Sequence, residues 1–390
     1  MSTTAVIAGV GKTRLGSVPE LTTMGLIIDA ATKAVADAGL TMRDIDGLVL
    51  HPFFGASPRY HILVAESLGI FAKTLCDTTM MGGAQYGATL QTARWAIEDG
   101  LCRNVLIVAG EKLRTGHDSG SAMMAEFGAH NLDYEYPYGA TVPAYYGLLA
   151  ERYLHQYGLD SSALAQIAVA TRAHAVRNPD AEKRDPITVE DVLASPIIST
   201  PLHRLDCSLV SDGGAAYVVS AKGTSANPNR EVELLGLGQA HSGYHMGHLA
   251  RGDDSHDMVR TVVDIAGRRA FEKAGVSRSD IDVAGIYDSF TITTAIQLED
   301  LGFCGRGEAG DYVKAGNMDL GGPMPTNTHG GLLSCAHPGA CGGMLHIIEA
   351  VTQLRGEAGA RQVPDAETAL VTSASAVASN YSVSILGKAR

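Results

Sequence analysis

Paired cysteines, long apolar runs, aromatics and an excess of positive charge are all missing or scarce in this 390-residue chain. Six cysteines stand apart at 76, 102, 207, 304, 335 and 341 with no Cys-x-x-Cys among them, which argues against a zinc site or a redox motif. The apolar runs, such as Val105–Gly110, fall far short of the ~18 residues that a membrane span needs. The opening Met1-Ser2-Thr3-Thr4 has no basic region, so Ala5–Val10 reads as a first strand and not as a secretion signal. Lys and Arg total 30 against 42 Asp and Glu, a formal charge of −12, which excludes the basic surface of a nucleic-acid binder. We expect a soluble, cytoplasmic, reduced protein. Charged residues are only 18% and hydrophobic ones 45%, too apolar for disorder. Aromatics at 6% with 45 glycines suit tight turns and close backbone packing, as in layered α/β proteins.

What is present is a repeat. The segment 38–46, Ala-Gly-Leu-Thr-Met-Arg-Asp-Ile-Asp, returns at 274–282 as Ala-Gly-Val-Ser-Arg-Ser-Asp-Ile-Asp, 236 residues on. Each copy follows an amphipathic stretch, 24–38 and 258–274, whose apolar residues recur at helical spacing and which ends at Ala-Gly, a usual helix stop. A short apolar strand comes next, 47–50 and 283–286, running into His51 in one copy and Tyr287 in the other. Both copies reach a phenylalanine three residues later, Phe54 and Phe290. Glycine-rich turns then open helices at 82–97 and 338–354, followed by strands at 104–110 and 368–373. Further strands are expected at 215–220, 232–237 and 382–386. Strands alternating with helices imply parallel α/β units. The chain therefore divides into halves at 1–225 and 230–390, with an insertion rich in Tyr and His, roughly 111–205, in the first. Ligands of α/β sheets sit beyond the carboxyl ends of strands. Halves related by a twofold axis would bring His51, Tyr287 and both glycine turns to one cleft.

Two motifs compete for a chemical reading. Gly9-Val10-Gly11-Lys12-Thr13 lacks the spaced glycine of a phosphate loop, since Val6 stands there, and Arg14 breaks the dinucleotide pattern. We expect it to be a tight turn after the first strand. The densest feature is 327–343, Asn-Thr-His-Gly-Gly-Leu-Leu-Ser-Cys-Ala-His-Pro-Gly-Ala-Cys-Gly-Gly. Its glycines admit close approach of a ligand or another backbone, which makes His329 and Gly330 candidate oxyanion contacts. His337 precedes Pro338, a residue favoured at a helix start, and is placed either for proton transfer and oxyanion donation or to hold a turn. Cys341 and Cys207 read as packing residues.

These residues resemble the thiolase superfamily over nearly the whole chain. The similarity is carried by 5–11 (Ala-Val-Ile-Ala-Gly-Val-Gly), Tyr136-Pro137-Tyr138-Gly139, Arg172-Ala173-His174-Ala175, Asn178-Pro179, Ser211-Asp212-Gly213, Tyr287-Asp288-Ser289-Phe290 and 330–338 (Gly-Gly-Leu-Leu-Ser-Cys-Ala-His-Pro). The branch it most resembles holds the thiolase domain of sterol carrier protein x and the bacterial lipid-transfer-protein thiolases. The resemblance implies a duplicated thiolase fold, five layers in the order α-β-α-β-α, with a loop-domain insertion in the first half. It also implies a homodimer, built on the strand after Asp77 and the helix near Trp95.

A thiolase carries a nucleophilic Cys, a second acid/base Cys, a Gly-His-Pro histidine, and an Asn or His ahead of a phenylalanine. His337 matches the histidine, with Ala336 in place of its glycine, and Tyr287 takes the Asn/His position. The nucleophile's place falls at Gly82 or Gly83, and the second Cys should lie within 373–379, Ser-Ala-Ser-Ala-Val-Ala-Ser; neither is there. Thioester exchange needs a thiolate. Three readings stay open: an enzyme that stabilises an enolate without covalent catalysis, a binding or scaffold subunit, and a thiolase with a relocated Cys such as Cys335. Under the first, Tyr287, His337 and His51 would be catalytic and the backbone at Gly82 and Gly83 would border the reacting carbon. Retro-aldol cleavage of a β-hydroxyacyl-CoA needs a base and an enolate hole but no nucleophile. The resemblance extends to Cys-less aldolases that shorten steroid side chains and often work with a small OB-fold partner. The CoA thioester is then substrate, with no metal and no covalently bound cofactor expected.

Overall fold

The structure is a computed structural model that describes residues 4–52, 56–57, 59–71, 74–79, 83, 85–117, 133, 135–138, 141–243, 257–375 and 377–389. Gly82 and Phe54 lie outside the described residues. The first half runs β1 (Ala5–Lys12), α1 (Thr23–Asp37), β2 (Gly47–His51), α2 (Tyr60–Ser67), β3 (Leu75–Thr78), α3 (Gln85–Glu98) and β4 (Asn104–Lys112). The inserted segment contributes α4 (Val142–Tyr157), α5 (Ser162–Ala175), α6 (Val189–Ala194) and the small ribbon β5 (Ile197–Ser199) with β6 (Leu202–His203). Strand β7 (Asp212–Ala221) returns to the sheet. The second half runs β8 (Val232–His241), α7 (Val263–Ala274), β9 (Val283–Gly285), α8 (Thr291–Asp300), α9 (Ala309–Lys314), α10 (Met344–Leu354), β10 (Thr368–Ser375) and β11 (Asn380–Lys388).

The repeat is visible in the sheet. Nine strands follow the order β3-β2-β4-β7-β1-β8-β11-β10-β9. From the centre outward, β1-β7-β4-β2 mirrors β8-β11-β10-β9. The join is thin: β1 and β8 pair only through Val6 with Glu233 and Ile7 with Val232. Beyond β9, Thr326 bridges Ala284 in parallel, taking the place that β3 holds beside β2. Helix α1 packs on β1, β7 and β4, and α7 on β8 and β11, while α3 and α10 each touch strands of both halves. The layers are thus α1, one half-sheet, the α3–α10 pair, the other half-sheet and α7. Such a sheet is covered on both faces, which is why its strands are almost continuously apolar: Asn104–Glu111 of β4 is buried throughout.

Three local expectations change. Gly9 and Gly11 lie within β1 and not in a turn. A Cβ at Gly9 would meet Ala34 O at 2.2 Å and one at Gly11 would meet Ala30 O at 2.5 Å, so their bareness lets α1 lie against the strand. Gly236 and Gly238 do the same for α7, each 2.0 Å from a carbonyl of that helix by the same measure. Helix α7 starts at Val263, not at Met258. Pro338 opens no long helix: residues 339–341 form one tight turn and α10 begins only at Met344. The glycines at 339, 342 and 343 disfavour helix, and Gly339 sits at φ +44°.

Candidate active site

Tyr287 is set by backbone bonds, not by its own hydroxyl. Asn327, in the left-handed region at φ +56°, turns its amide onto the main chain of Ile286: Nδ2 donates to Ile286 O at 2.9 Å and Oδ1 accepts from Ile286 N at 2.8 Å. The next residue is clamped from the other side. Tyr287 N donates to Thr372 Oγ1 at 2.9 Å, and Gln297 Nε2 donates to Tyr287 O at 2.8 Å. The phenol that results is buried and points at the turn of the first half. A Cβ on Gly83 would fall 2.6 Å from Tyr287 Oη and 2.1 Å from Ala374 O. No side chain fits at position 83, a cysteine included.

His337 stands over the same phenol, its ring centroid 6.4 Å from that of Tyr287 at 84°. Its Nδ1 is 3.0 Å from Ser208 Oγ, and its backbone N donates to Ser211 Oγ at 3.1 Å. Burial pulls the imidazole down to about 4, against a smaller upward pull from Asp288, so it is neutral near pH 7. Burial also drives the Tyr287 phenol upward, with Tyr146 and Asp288 adding to it. Asp288 is fully buried and accepts from Leu332 N at 2.8 Å and Leu333 N at 3.3 Å. Gly331 makes room for it: a Cβ there would be 1.9 Å from Asp288 Oδ2. Tyr146 arrives from α4 and stacks on Phe290, centroids 4.4 Å apart, which ties the inserted segment to the site.

The remaining sequence candidates lie further out. His51 ends β2 but meets Tyr86, at 6.2 Å between centroids, and not Tyr287. Burial holds it near 3, so it is a neutral packing neighbour of the site. Tyr86 occupies the intervening place; its Oη donates to Gly339 O at 3.2 Å. His329 faces His346 at 4.9 Å, behind Tyr287. Gly330 gives its N–H to Asn327 O at 2.7 Å and packs on Ala175, so that donor is already used within the turn. Gly82 is outside the described residues. Among the tyrosines that enrich the inserted segment, Tyr145 is core and Tyr138 is exposed, while Tyr134 is outside the described residues. Sequence reasoning passed over Tyr86, Asp288, Ser208 and His346 as site residues. Asp288 lay inside a stretch already singled out, but pairing across 44 to 129 residues leaves no local signal.

The six thiols offer no substitute nucleophile. Cys335 is buried, its Sγ 3.6 Å from Asn178 Nδ2, and burial pushes it up to about 12. Cys341 is buried under the second turn, with Sγ donating to Gly213 O at 3.3 Å, and is raised well above a thiol's ordinary value. Cys76 lies exposed on β3, and burial and Asp77 raise it too. A thiolate at neutral pH requires the opposite environment. Among the described residues there is no group of three or more His, Cys, Asp or Glu set to hold a metal ion. No helix among them is long and apolar enough to cross a membrane.

Residues 243–388 match the thiolase C-terminal domain-like family. The chain is 36% identical to the steroid side-chain-cleaving aldolase of Thermomonospora curvata over 96% of its own length and 95% of the relative's. It belongs to the thiolase superfamily. Within that superfamily it falls in the sterol-carrier-protein-like branch that holds the aldolases. It is 33% identical to the 17-hydroxy-3-oxo-4-pregnene-20-carboxyl-CoA lyase of Mycobacterium tuberculosis, covering 97% of this chain and 98% of that one. The solved Ltp2-ChsH2(DUF35) aldolase superposes with a TM-score of 0.85 at 34% identity, over 99% of this chain and 98% of that chain. The duplicated thiolase fold is therefore the fold of this protein.

Proposed function

We propose that this protein is an acyl-CoA carbon–carbon lyase that cleaves a β-hydroxyacyl-CoA by a retro-aldol step, with a steroid side chain as the acyl class. One observation carries the reading: of the two positions expected for a thiolase's nucleophile, Gly82 and Gly83, the described one, Gly83, has Tyr287 Oη in the space a cysteine would need. The substrate class comes from the relatives, one named for steroid side-chain cleavage and one for a pregnene-carboxyl-CoA.

The chemistry follows from a neutral imidazole and a phenol that must ionise before it acts. His337 holds one proton. If Ser208 Oγ–H donates to Nδ1, that proton is on Nε2, and the imidazole donates to the thioester oxygen. Tyr287, as phenolate, takes the proton of the β-hydroxyl. The Cα–Cβ bond breaks, its electrons go to the thioester enolate, and the former carbinol becomes a ketone. Tyr287 then returns its proton to Cα, releasing the shortened acyl-CoA and restoring the phenolate. No covalent enzyme intermediate forms, and no metal or redox cofactor is required by this balance.

Two assembly features belong to the same proposal. Strand β3 is an edge of the sheet with half-exposed residues; Phe71, just before it, and Trp95, on α3, are 62% and 60% exposed. Unpaired edges flanked by apolar side chains invite a second copy of the chain. A small companion protein, with the OB-fold that the family resemblance implies, is also proposed, and the two-component name of the solved aldolase supports a partner. The direct test is incubation with a panel of β-hydroxyacyl-CoA and β-ketoacyl-CoA esters, with mass analysis of products. The proposal expects a ketone and a shortened acyl-CoA from the hydroxy esters alone. CoA-dependent cleavage of the keto esters would support the thiolase reading instead.

A further inference from the structure

His346 is used by nothing so far described, yet it occupies the centre of the second half's polar interior. It lies two residues into α10 and is completely buried. Its ring centroid is 6.3 Å from that of Tyr287, tilted at 59°. Its Nε2 is 3.3 Å from Asp288 Oδ1, off the axis of a hydrogen bond. On its far side stands His329, perpendicular at 4.9 Å, and neither ring nitrogen of His329 has a hydrogen-bond partner among the described residues. The placement is forced by bareness elsewhere. A Cβ on Gly285 would touch His346 Cβ at 3.0 Å, so any larger residue in β9 would push the imidazole off Asp288.

A buried polar side chain without a full set of partners is destabilising, and an apolar residue would fill the same space at less expense. The observation that gives His346 a purpose is its neighbour. Asp288 is a buried carboxylate adjacent to the phenol, and a negative charge at that range opposes a phenolate. The groups that face Tyr287 are Tyr86 from α3, Tyr146 from α4, His337 after the second turn, His346 from α10 and Asp288 beside it in the chain. Among these, His346 faces Tyr287 and also has a ring nitrogen 3.3 Å from the Asp288 carboxylate, toward which it can turn an N–H.

We infer that His346 is a positioning residue that screens Tyr287 from the Asp288 carboxylate, with His329 holding the imidazole in place. The inference deepens the aldolase reading and rests on Tyr287 acting as the base. An imidazole N–H turned on Asp288 draws the carboxylate's field away from the phenol. Removing it leaves the carboxylate facing Tyr287 directly; removing the carboxylate does the reverse.

The test places a trifluorotyrosine at position 287, whose phenol ionises in an accessible pH range, and follows its absorbance in the full-length protein. His346→Leu should make that phenol about tenfold harder to ionise, and Asp288→Asn about tenfold easier. His346→Gln, which keeps an N–H for Asp288, should stay close to the parent. In the Asp288→Asn background, His346→Leu should no longer matter. No shift in His346→Leu, or a shift of the same sign as Asp288→Asn, would overturn the inference. Should His346→Leu not fold, His346→Met, which likewise lacks an N–H for Asp288, is read in its place by the same criteria. The titration needs no substrate. A parent protein that cleaves no hydroxyacyl-CoA would sink the aldolase reading while leaving these shifts readable. In turnover, His346→Leu should lower kcat with KM unchanged and recover as pH rises, which a loss of mere packing would not do.

Discussion

At the end of β2 the first half presents His51, and at the matching point of the second half stands Tyr287. Below each lies a glycine turn that opens a central helix. The backbones correspond strand for strand, but the side chains do not. In the first half the turn has been emptied: Gly83 has no room for a Cβ, His51 is a neutral packing group, and Cys76 faces outward on the sheet edge. In the second half Tyr287, Asp288, His337 and His346 gather around one phenol. On the proposed function, the duplicated scaffold offers two equivalent mouths and the chemistry is concentrated in one. The other supplies a wall against which the phenol is pressed. Gly83 leaves no room there for a cysteine, and the tip of the group proposed to move the proton takes up that space.

Substitutions at the active half should therefore be far more damaging than substitutions at the emptied half. Tyr287→Phe removes one hydroxyl and almost no volume. Its turnover on a hydroxyacyl-CoA should fall by ~10²–10⁴, the usual worth of a general acid–base group, while binding of CoA esters survives. His337→Ala should lower kcat by ~10²–10³, as loss of an oxyanion donor does. Gly83→Cys sharpens the comparison from the other side. It restores the residue type a thiolase has, but the added Cβ meets Tyr287 Oη and Ala374 O, so the variant should gain no thiolase activity. Its stability in a urea melt should drop by ~1–3 kcal/mol, the range for overpacking. His51→Gln should leave turnover within roughly tenfold of the parent, a barrier change of about 1.4 kcal/mol or less. A loss at His51 equal to that at Tyr287 would break the asymmetry.

Acid should act on both halves alike. His337 titrates near 4 and His51 near 3 in the folded chain, whereas an unfolded histidine titrates near 6.5. Between those values the unfolded state binds more protons, so stability is complete above about pH 6.5 and is lost as pH falls toward 4. A lower melting temperature at pH 5 than at pH 7 would check this. Activity has a separate dependence. Because burial raises the Tyr287 phenol, turnover should climb ~tenfold per pH unit through neutral pH with no plateau.

The sequence made the scaffold legible and the division of labour only in part. The repeat at 38–46 and 274–282 announced two α/β halves, and the described strands fall where the apolar runs lie. Tyr287 and His337, whose rings the fold brings together, could be singled out because each sits at a punctuated place, a strand end and a His-Pro turn. The glycines of β1 misled, since Gly-x-Gly reads as a turn, whereas here it is the bare face of a strand under α1. His51 misled by symmetry: a repeat predicts where a residue sits but not what stands between it and its twin, and Tyr86 stands there. Asp288, His346 and Ser208 take their meaning from partners 44 to 129 residues away. Such pairings are made by the fold and leave no period or motif in the chain.

The central claim, carbon–carbon cleavage without a covalent enzyme intermediate, meets its most direct test in the mass of the intact protein during turnover. Rapid acid quench of the enzyme with a β-hydroxyacyl-CoA that it cleaves should show ketone and shortened acyl-CoA accumulating while the protein mass stays unchanged. Prior alkylation of exposed Cys76 should not alter that result. An acyl adduct in the quenched protein that maps to Cys335, Cys341 or Cys76 would contradict the account.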